Sequence, residues 1–179
     1  FHHTDLDGDS SGSLINQLIR FNNQTSIRFI RYNYNGTFIS DEIERMVENP
    51  TYEKKKNIAF VLDLSLKNNQ LEEILKYYDK VIWIDHHITS LYQNPISLCN
   101  QYNNFTYILD TRECGCWLTY AWLYNSIKAV NSKDTVDSVL EMLENFDMTQ
   151  EQYKLDDNAN EILEVYKSKA PLVGLISVY

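Results

Sequence analysis

Lys80-Val81-Ile82-Trp83-Ile84-Asp85-His86-His87 is the stretch that decides how this chain folds. An apolar run of strand length, built from branched and aromatic residues, stops at one carboxylate and two adjacent imidazoles. Open α/β sheets place their ligands at the carboxyl ends of buried parallel strands, so this ending reads as a site. Taken alone, it is also compatible with Asp85 capping the next segment and the histidines lying on the surface. Two further runs tip the balance. Asn57 to Leu62 ends in Asp63, and the chain opens with Phe1-His2-His3-Thr4-Asp5-Leu6-Asp7-Gly8-Asp9. If the three strands are parallel, their acids and imidazoles meet on one edge of one sheet.

Outward from these runs, strand and helix patterns alternate. Ser10 and Ser11 are good caps for a helix with an apolar stripe at Leu14, Ile15, Leu18, Ile19 and Phe21, which makes the preceding acids a loop. Ser26 to Tyr32 predicts a strand closed by the turn Asn35-Gly36, and Asp41 with Glu44 predicts a capped helix through Glu48. Pro50 and Lys54-Lys55-Lys56 mark a connection. A helix from about Asn69 to Tyr78 places Leu71, Ile74 and Leu75 on one face. Ile88 to Asn104 is polar and irregular with Pro95 inside it, and reads as a long surface loop. Phe105 to Leu109 predicts a fifth strand, Cys114 to Asn131 an apolar helix, and Thr135 to Asn145 and Asp156 to Lys167 two more helices. Trp83, Trp117 and Trp122 are expected in the core. The apolar tail from Pro171 to Tyr179 either packs on the body or leads into a further domain.

The expected fold class is therefore α/β: a doubly wound, mainly parallel five-stranded sheet with helices on both faces and a helical carboxyl-terminal part. A length of 179 residues suits a single domain, 1–179, divided into a sheet core over 1–110 and a mostly helical portion over 111–179. The chain opens without Met, inside what reads as the end of a strand, so residues are expected to precede it.

A net charge of −9 and a pI near 4.8 argue against a broad surface that grips long nucleic acid through its phosphates. They do not exclude a nucleotide substrate, because clustered carboxylates bind divalent cations that then supply positive charge. Three cysteines, Cys99, Cys114 and Cys116, form neither a disulfide framework nor a paired zinc motif. With no long apolar span and no signal peptide pattern, a reduced cytoplasmic location without a membrane is expected.

Hydrolysis of a phosphate ester by two metals needs cations roughly 3.5 to 4 Å apart, with carboxylates shared between them. The strand ends supply such a set. Asp5 and Asp7 alternate, with Gly8 allowing a sharp turn; Asp63 stands alone as the natural bridging carboxylate; His86 offers a neutral nitrogen, with Asp85 behind it to fix its tautomer. Carboxylates and imidazoles without thiolate suit Mn2+ or Mg2+ and tolerate Co2+, zinc or iron. Arg112 precedes a helix, from where it can reach a substrate phosphate, although an exposed arginine is the commoner outcome. Cys114 and Cys116, flanking Gly115, read as packing. Residues of the Tyr92 to Tyr107 segment are candidates for stacking on a base.

His3-Thr4-Asp5-Leu6-Asp7-Gly8, Val61-Leu62-Asp63-Leu64-Ser65 and Ile84-Asp85-His86-His87, in this order, resemble the motifs of the DHH phosphoesterase superfamily. That superfamily includes the RecJ exonucleases, nano-RNA and pAp phosphatases, cyclic-di-AMP phosphodiesterases and family II pyrophosphatases. The resemblance covers nearly the whole chain. It implies a manganese-preferring hydrolase with two ions, in which His87 faces the phosphate. Two registers are open: Asp5 with Asp7 as in RecJ-like members, or His3, Asp7 and Asp9 as in pyrophosphatases. The first is favoured by Gly8, with His3 a ligand or close neighbour and Asp9 farther out. The last ligand is expected at Asp147, with Asp110 the rival; Asp156 and Asp157 read as a helix cap. Many relatives carry a second domain with a glycine-rich motif, and only five glycines, none adjacent, occur here.

The resulting expectation is a metal-dependent phosphoesterase. It would hydrolyse a phosphodiester or phosphomonoester in a small nucleotide or short oligonucleotide, with a homodimer or partner domain as candidates for completing the substrate site. The alternatives are a catalytically silent metal- or nucleotide-binding module, and an inorganic pyrophosphatase.

Overall fold

The structure, a computed structural model, describes residues 1–20, 27–34 and 57–129. The turn at Asn35-Gly36, the helix expected near Asp41 to Glu48, Asp147, Asp156, Asp157 and the tail lie outside these residues.

Five strands form one sheet: β1 (His2–His3), β2 (Arg31–Tyr32), β3 (Ile58–Leu62), β4 (Lys80–Asp85) and β5 (Phe105–Leu109). All the pairings are parallel and the order is β2-β1-β3-β4-β5. The chain runs outward from β1 to β2 and then returns to place β3 on the other side of β1. The strand order thus reverses between β1 and β3, where α/β sheets open a crevice at their carboxyl edge.

Alternation along the strands gives each face its own core. Phe60, Leu62, Ile82, Ile84 and Ile108 pack with Ile15 of helix α1 (Leu6–Arg20) and with Leu118, Trp122 and Leu123 of helix α5 (Gly115–Ala129). Ala59, Val61, Val81, Trp83, Phe105 and Leu109 pack with Leu71, Ile74 and Leu75 of helix α2 (Asn68–Tyr77). Helices therefore cover both faces, as the near-continuous apolar strands require. Trp83 and Trp122 are buried, and Trp117 packs partly buried against the core of Phe60, Ile82 and Trp122. Asn104 ties α2 to the sheet, its Nδ2 donating to the carbonyls of Leu75 and Tyr78 at the helix's carboxyl end. Among the described residues no helix is long and apolar enough to cross a membrane.

Three local expectations are corrected. Helix α1 begins at Leu6, not after Ser10, because Asp5 is its cap: the Asp5 carboxylate accepts from the Gly8 amide at 2.9 Å and the Asp5 carbonyl from the Asp9 amide. Ser11 is consequently inside the helix, its hydroxyl donating back to the Asp7 carbonyl. Strand β2 is confined to Arg31–Tyr32, which pair in parallel with His2 and His3 of β1. The segment read as a long loop carries two short helices, α3 (Ile88–Leu91) and α4 (Pro95–Gln101). Asn94 caps the latter in the left-handed conformation and accepts from the Ser97 amide, while Pro95 occupies the first helical position, where its missing N–H costs nothing.

Candidate metal centre

Three strand ends deliver the polar residues to one edge. Leu62 pairs with His2 on one side and Ile84 on the other, so Asp63 emerges between the ends of β1 and β4. Asp63 takes a left-handed backbone, φ 51°, which re-aims its carboxylate after the strand. The following loop is pinned by Trp83, whose indole N–H donates to the Leu64 carbonyl at 2.9 Å. Ser65 adds a hydroxyl contact to Thr89 at 2.7 Å.

Around this carboxylate, His3, Asp5 and Asp63 form one cluster and Asp63, His86 and His87 a second. Asp63 belongs to both. His86 Nε2 stands 3.0 Å from Asp63 Oδ1 and 3.6 Å from Asp7 Oδ2.

The acids differ in how far their oxygens are occupied. Asp5 accepts from the Gly8 amide and lies 2.8 Å from His3 Nδ1, which stands against the Tyr34 ring. Burial pushes the Asp5 carboxyl up, but those bonds outweigh it and leave it below its ordinary value. Asp7, fully buried, is reached across the sheet edge by the first amides of α5: Gly115 N–H donates to Oδ2 at 2.8 Å and Cys116 N–H to Oδ1 at 2.5 Å. Asp63 has nothing comparable. The 3.0 Å approach of His86 Nε2 to Asp63 Oδ1 lacks hydrogen-bond geometry, so both Asp63 oxygens and His86 Nε2 are buried without a hydrogen bond; among the described residues only Trp117 Nε1 shares that condition. Buried polar atoms are ordinarily bonded, so these three unbonded atoms form a group that could hold a cation. Burial first, then the charges of Asp7 and Asp5, push the Asp63 carboxyl up to about 9.

Asp85 does not serve His86, as the sequence suggested. Its Oδ1 lies 2.7 Å from His87 Nδ1, and Oδ2 receives the Ser90 hydroxyl. Residues i and i+2 of an extended strand share a side, and that period, applied to Asp85-His86-His87, identifies the pair. Burial lowers His87, but the hydrogen bond and charge of Asp85 outweigh it and hold the imidazolium above its ordinary value.

The other candidates have different partners. Asp9 is bound by Arg31, with contacts of 3.1 and 2.7 Å, and is in neither cluster. Asp110 accepts from Arg112, whose backbone N–H donates at 3.0 Å and whose side chain forms a two-pronged pair; that side chain is 81% exposed. Sequence reasoning missed the seating of Asp7 on α5, which no local signal carries. It also missed the meeting of Cys114 and Cys116 with Asp7.

Gly115 is a requirement of this geometry. A Cβ there would stand 2.8 Å from Asp63 Cβ and 3.1 Å from its Oδ1. Gly to Ala within a helix ordinarily stabilises by about 0.5–1 kcal/mol. Here Gly115→Ala is expected to reverse the sign, lowering stability by about 1–3 kcal/mol. It should also weaken divalent-cation affinity about 10–100-fold, as misplacing ligand supports does. Calorimetric titration with Mn2+ and thermal melts check both, and a variant as stable and as tight as the parent would contradict this placement.

Comparison of the chain with family models, with curated proteins and with solved structures found no match.

Proposed function

We propose that the protein is a phosphohydrolase that uses two divalent cations, preferably Mn2+ with Mg2+ or Co2+ as substitutes, on a small nucleotide or short oligonucleotide. One observation carries this reading. Asp63 is a buried carboxylate with two unbonded oxygens, common to two ligand clusters and faced by an unbonded imidazole nitrogen. A capping or packing acid needs none of this. The resemblance of the three motifs to DHH phosphoesterases points the same way.

His3, Asp5 and Asp63 would hold one ion, and Asp63, His86 and Asp7 the other, with Asp147 the expected additional ligand. The ions, when bound, would supply an acidified water as nucleophile and positive charge opposite the phosphate oxygens.

The chain's own groups do the rest. Helix α5 fixes Asp7 through two backbone amides, so its carboxylate cannot swing away. An ionised Asp85 can only accept, so His87 keeps its Nδ1 proton on that side and its proton exchange is confined to Nε2. Held above its ordinary pKa, His87 is suited to orient the phosphate and to protonate a leaving oxygen at neutral pH. A reduced cytoplasmic setting, and a second subunit or partner domain that closes the substrate site, belong to the same proposal.

The first test is a hydrolysis screen with Mn2+, run beside Asp63→Ala. Its panel is a generic phosphodiester, pAp, short RNA and DNA oligomers, cyclic dinucleotides and pyrophosphate. Turnover of one nucleotide class, lost in the variant, is expected. Cleavage of pyrophosphate alone would redirect the proposal to that substrate, and silence across the panel with bound metal would favour a binding module.

A further inference from the structure

Cys114 and Cys116 have no part in the hydrolytic centre proposed above, yet they meet one of its acids. The two residues straddle the start of α5, and their Sγ atoms are 3.5 Å apart. Together with an Asp7 oxygen, these atoms all lie within 4.8 Å of one another. Both thiols are free, and both residues are partly exposed while Asp7 is fully buried. A disulfide would require the sulfurs at about 2.05 Å. Two thiolates sharing a tetrahedral zinc, each at about 2.3 Å, stand about 3.8 Å from one another. The observed separation is that of a thiol–thiol hydrogen bond; it is far from the first arrangement and within a few tenths of an ångström of the second, so the sulfurs need move little to share an ion.

We propose that Asp7, Cys114 and Cys116 form a separate site for a thiophilic divalent cation of the zinc and cadmium class, one that shares Asp7 with the carboxylate–imidazole centre. The donor set decides the selectivity. Two sulfurs favour soft ions, whereas His3, Asp5, Asp63 and His86 offer only oxygen and nitrogen. On binding, each S–H proton passes to solvent as its sulfur–metal bond forms. Each Asp7 oxygen accepts one amide and retains a second lone-pair direction, so ligation does not require breaking the seat on α5. Three protein ligands leave a fourth tetrahedral position for solvent.

A regulatory consequence follows, and it alone rests on the proposed hydrolase: zinc at the thiols draws on the carboxylate that the manganese centre needs, and inhibits. Cation binding at the thiols stands without it.

The test is titration of the reduced protein with Co2+, followed by its sulfur-to-cobalt charge-transfer absorption, with Zn2+ added afterwards. Wild type and Cys99→Ser are expected to show the band, and Zn2+ to abolish it. Asp63→Ala should retain the band even where turnover is lost, which separates this site from the hydrolytic one. The pair Cys114→Ser and Cys116→Ser should lose it. A wild type with no thiolate band, or a double variant that keeps it, overturns the proposal. Should the serine pair fail to fold, the unmodified protein still decides. Zn2+ should slow alkylation of Cys114 and Cys116 by more than an order of magnitude while Cys99 reacts at its former rate, and unchanged rates at the pair would refute the site.

Discussion

Asp63→Asn is expected to abolish metal-dependent turnover and, in the metal-free protein, to raise stability. The two effects have one cause. Asp63 is buried beside Asp7 and Asp5, and these surroundings push its carboxyl from 3.8 up to about 9. Between those values the unfolded chain releases the proton while the folded chain retains it. Stability contributed by this group is thus complete below 3.8 and is lost as pH rises toward 9, at about 1.4 kcal/mol per pH unit. Asparagine fills the same space and has no proton to lose, so the metal-free variant should escape that slope. Metal reverses the balance. A cation must displace the Asp63 proton, so affinity in the parent should climb with pH up to about 9, with release of a proton that calorimetry in buffers of different ionisation enthalpy can count. If Asp63 holds cations as proposed, the amide would neither share them nor neutralise their charge, and turnover would be lost. Melting curves of both metal-free proteins between pH 5 and 9 provide the check: the gap should widen with pH. Parallel curves, or full activity in the variant, would remove Asp63 from the centre.

The features that were legible in the sequence are those with a period or an abrupt end. Val81 to Ile84 reads as a strand because its apolar run has strand length, and its termination in Asp85-His86-His87 marks the sheet edge. The same logic places Asp63 after β3 and His3 at the end of β1. Leu71, Ile74 and Leu75 recur at helical spacing, and α2 buries them. What was not legible is set by competition or by distance along the chain. Asp5, Ser10 and Ser11 are all acceptable caps. The Asp5 cap wins because Gly8 lies so close to the His3 backbone that a Cβ would collide with the His3 carbonyl, and this lets the helix start at once and carry Asp7 in its first turn. Asn94-Pro95 reads equally as a loop breaker and as a helix start, and the second meaning prevailed. The positive φ of Asp63 and its contact with Gly115 join distant segments and leave no local trace.

The other large effect is expected at the pair beside the proposed metal centre. Asp85 is fully buried and its oxygens engage His87 and Ser90. Asp85→Asn preserves size but removes the negative charge and, with it, most of what raises His87; burial, which lowers the imidazolium, then dominates. The sign is fixed by that change. If turnover depends on His87 carrying a proton, the alkaline limb of the pH profile should move to lower pH in Asp85→Asn. kcat near neutrality should fall about 10²–10⁴-fold, the range for loss of a positioned acid. His87→Gln should reach a similarly low kcat and lose that limb altogether, since no titrating group remains at the position. Asp85 acts through His87 and touches no substrate itself, so a purely structural role would lower the rate without moving the limb. Profiles of kcat against pH for the three proteins, with Mn2+ saturating and the fold verified by circular dichroism, separate the outcomes. A limb at the parent's position in Asp85→Asn would assign Asp85 to holding the loop through Ser90 and leave proton delivery to another group. A displaced limb would establish that β4 ends in a working acid, which the strand alternation at Asp85 and His87 sets facing the same side.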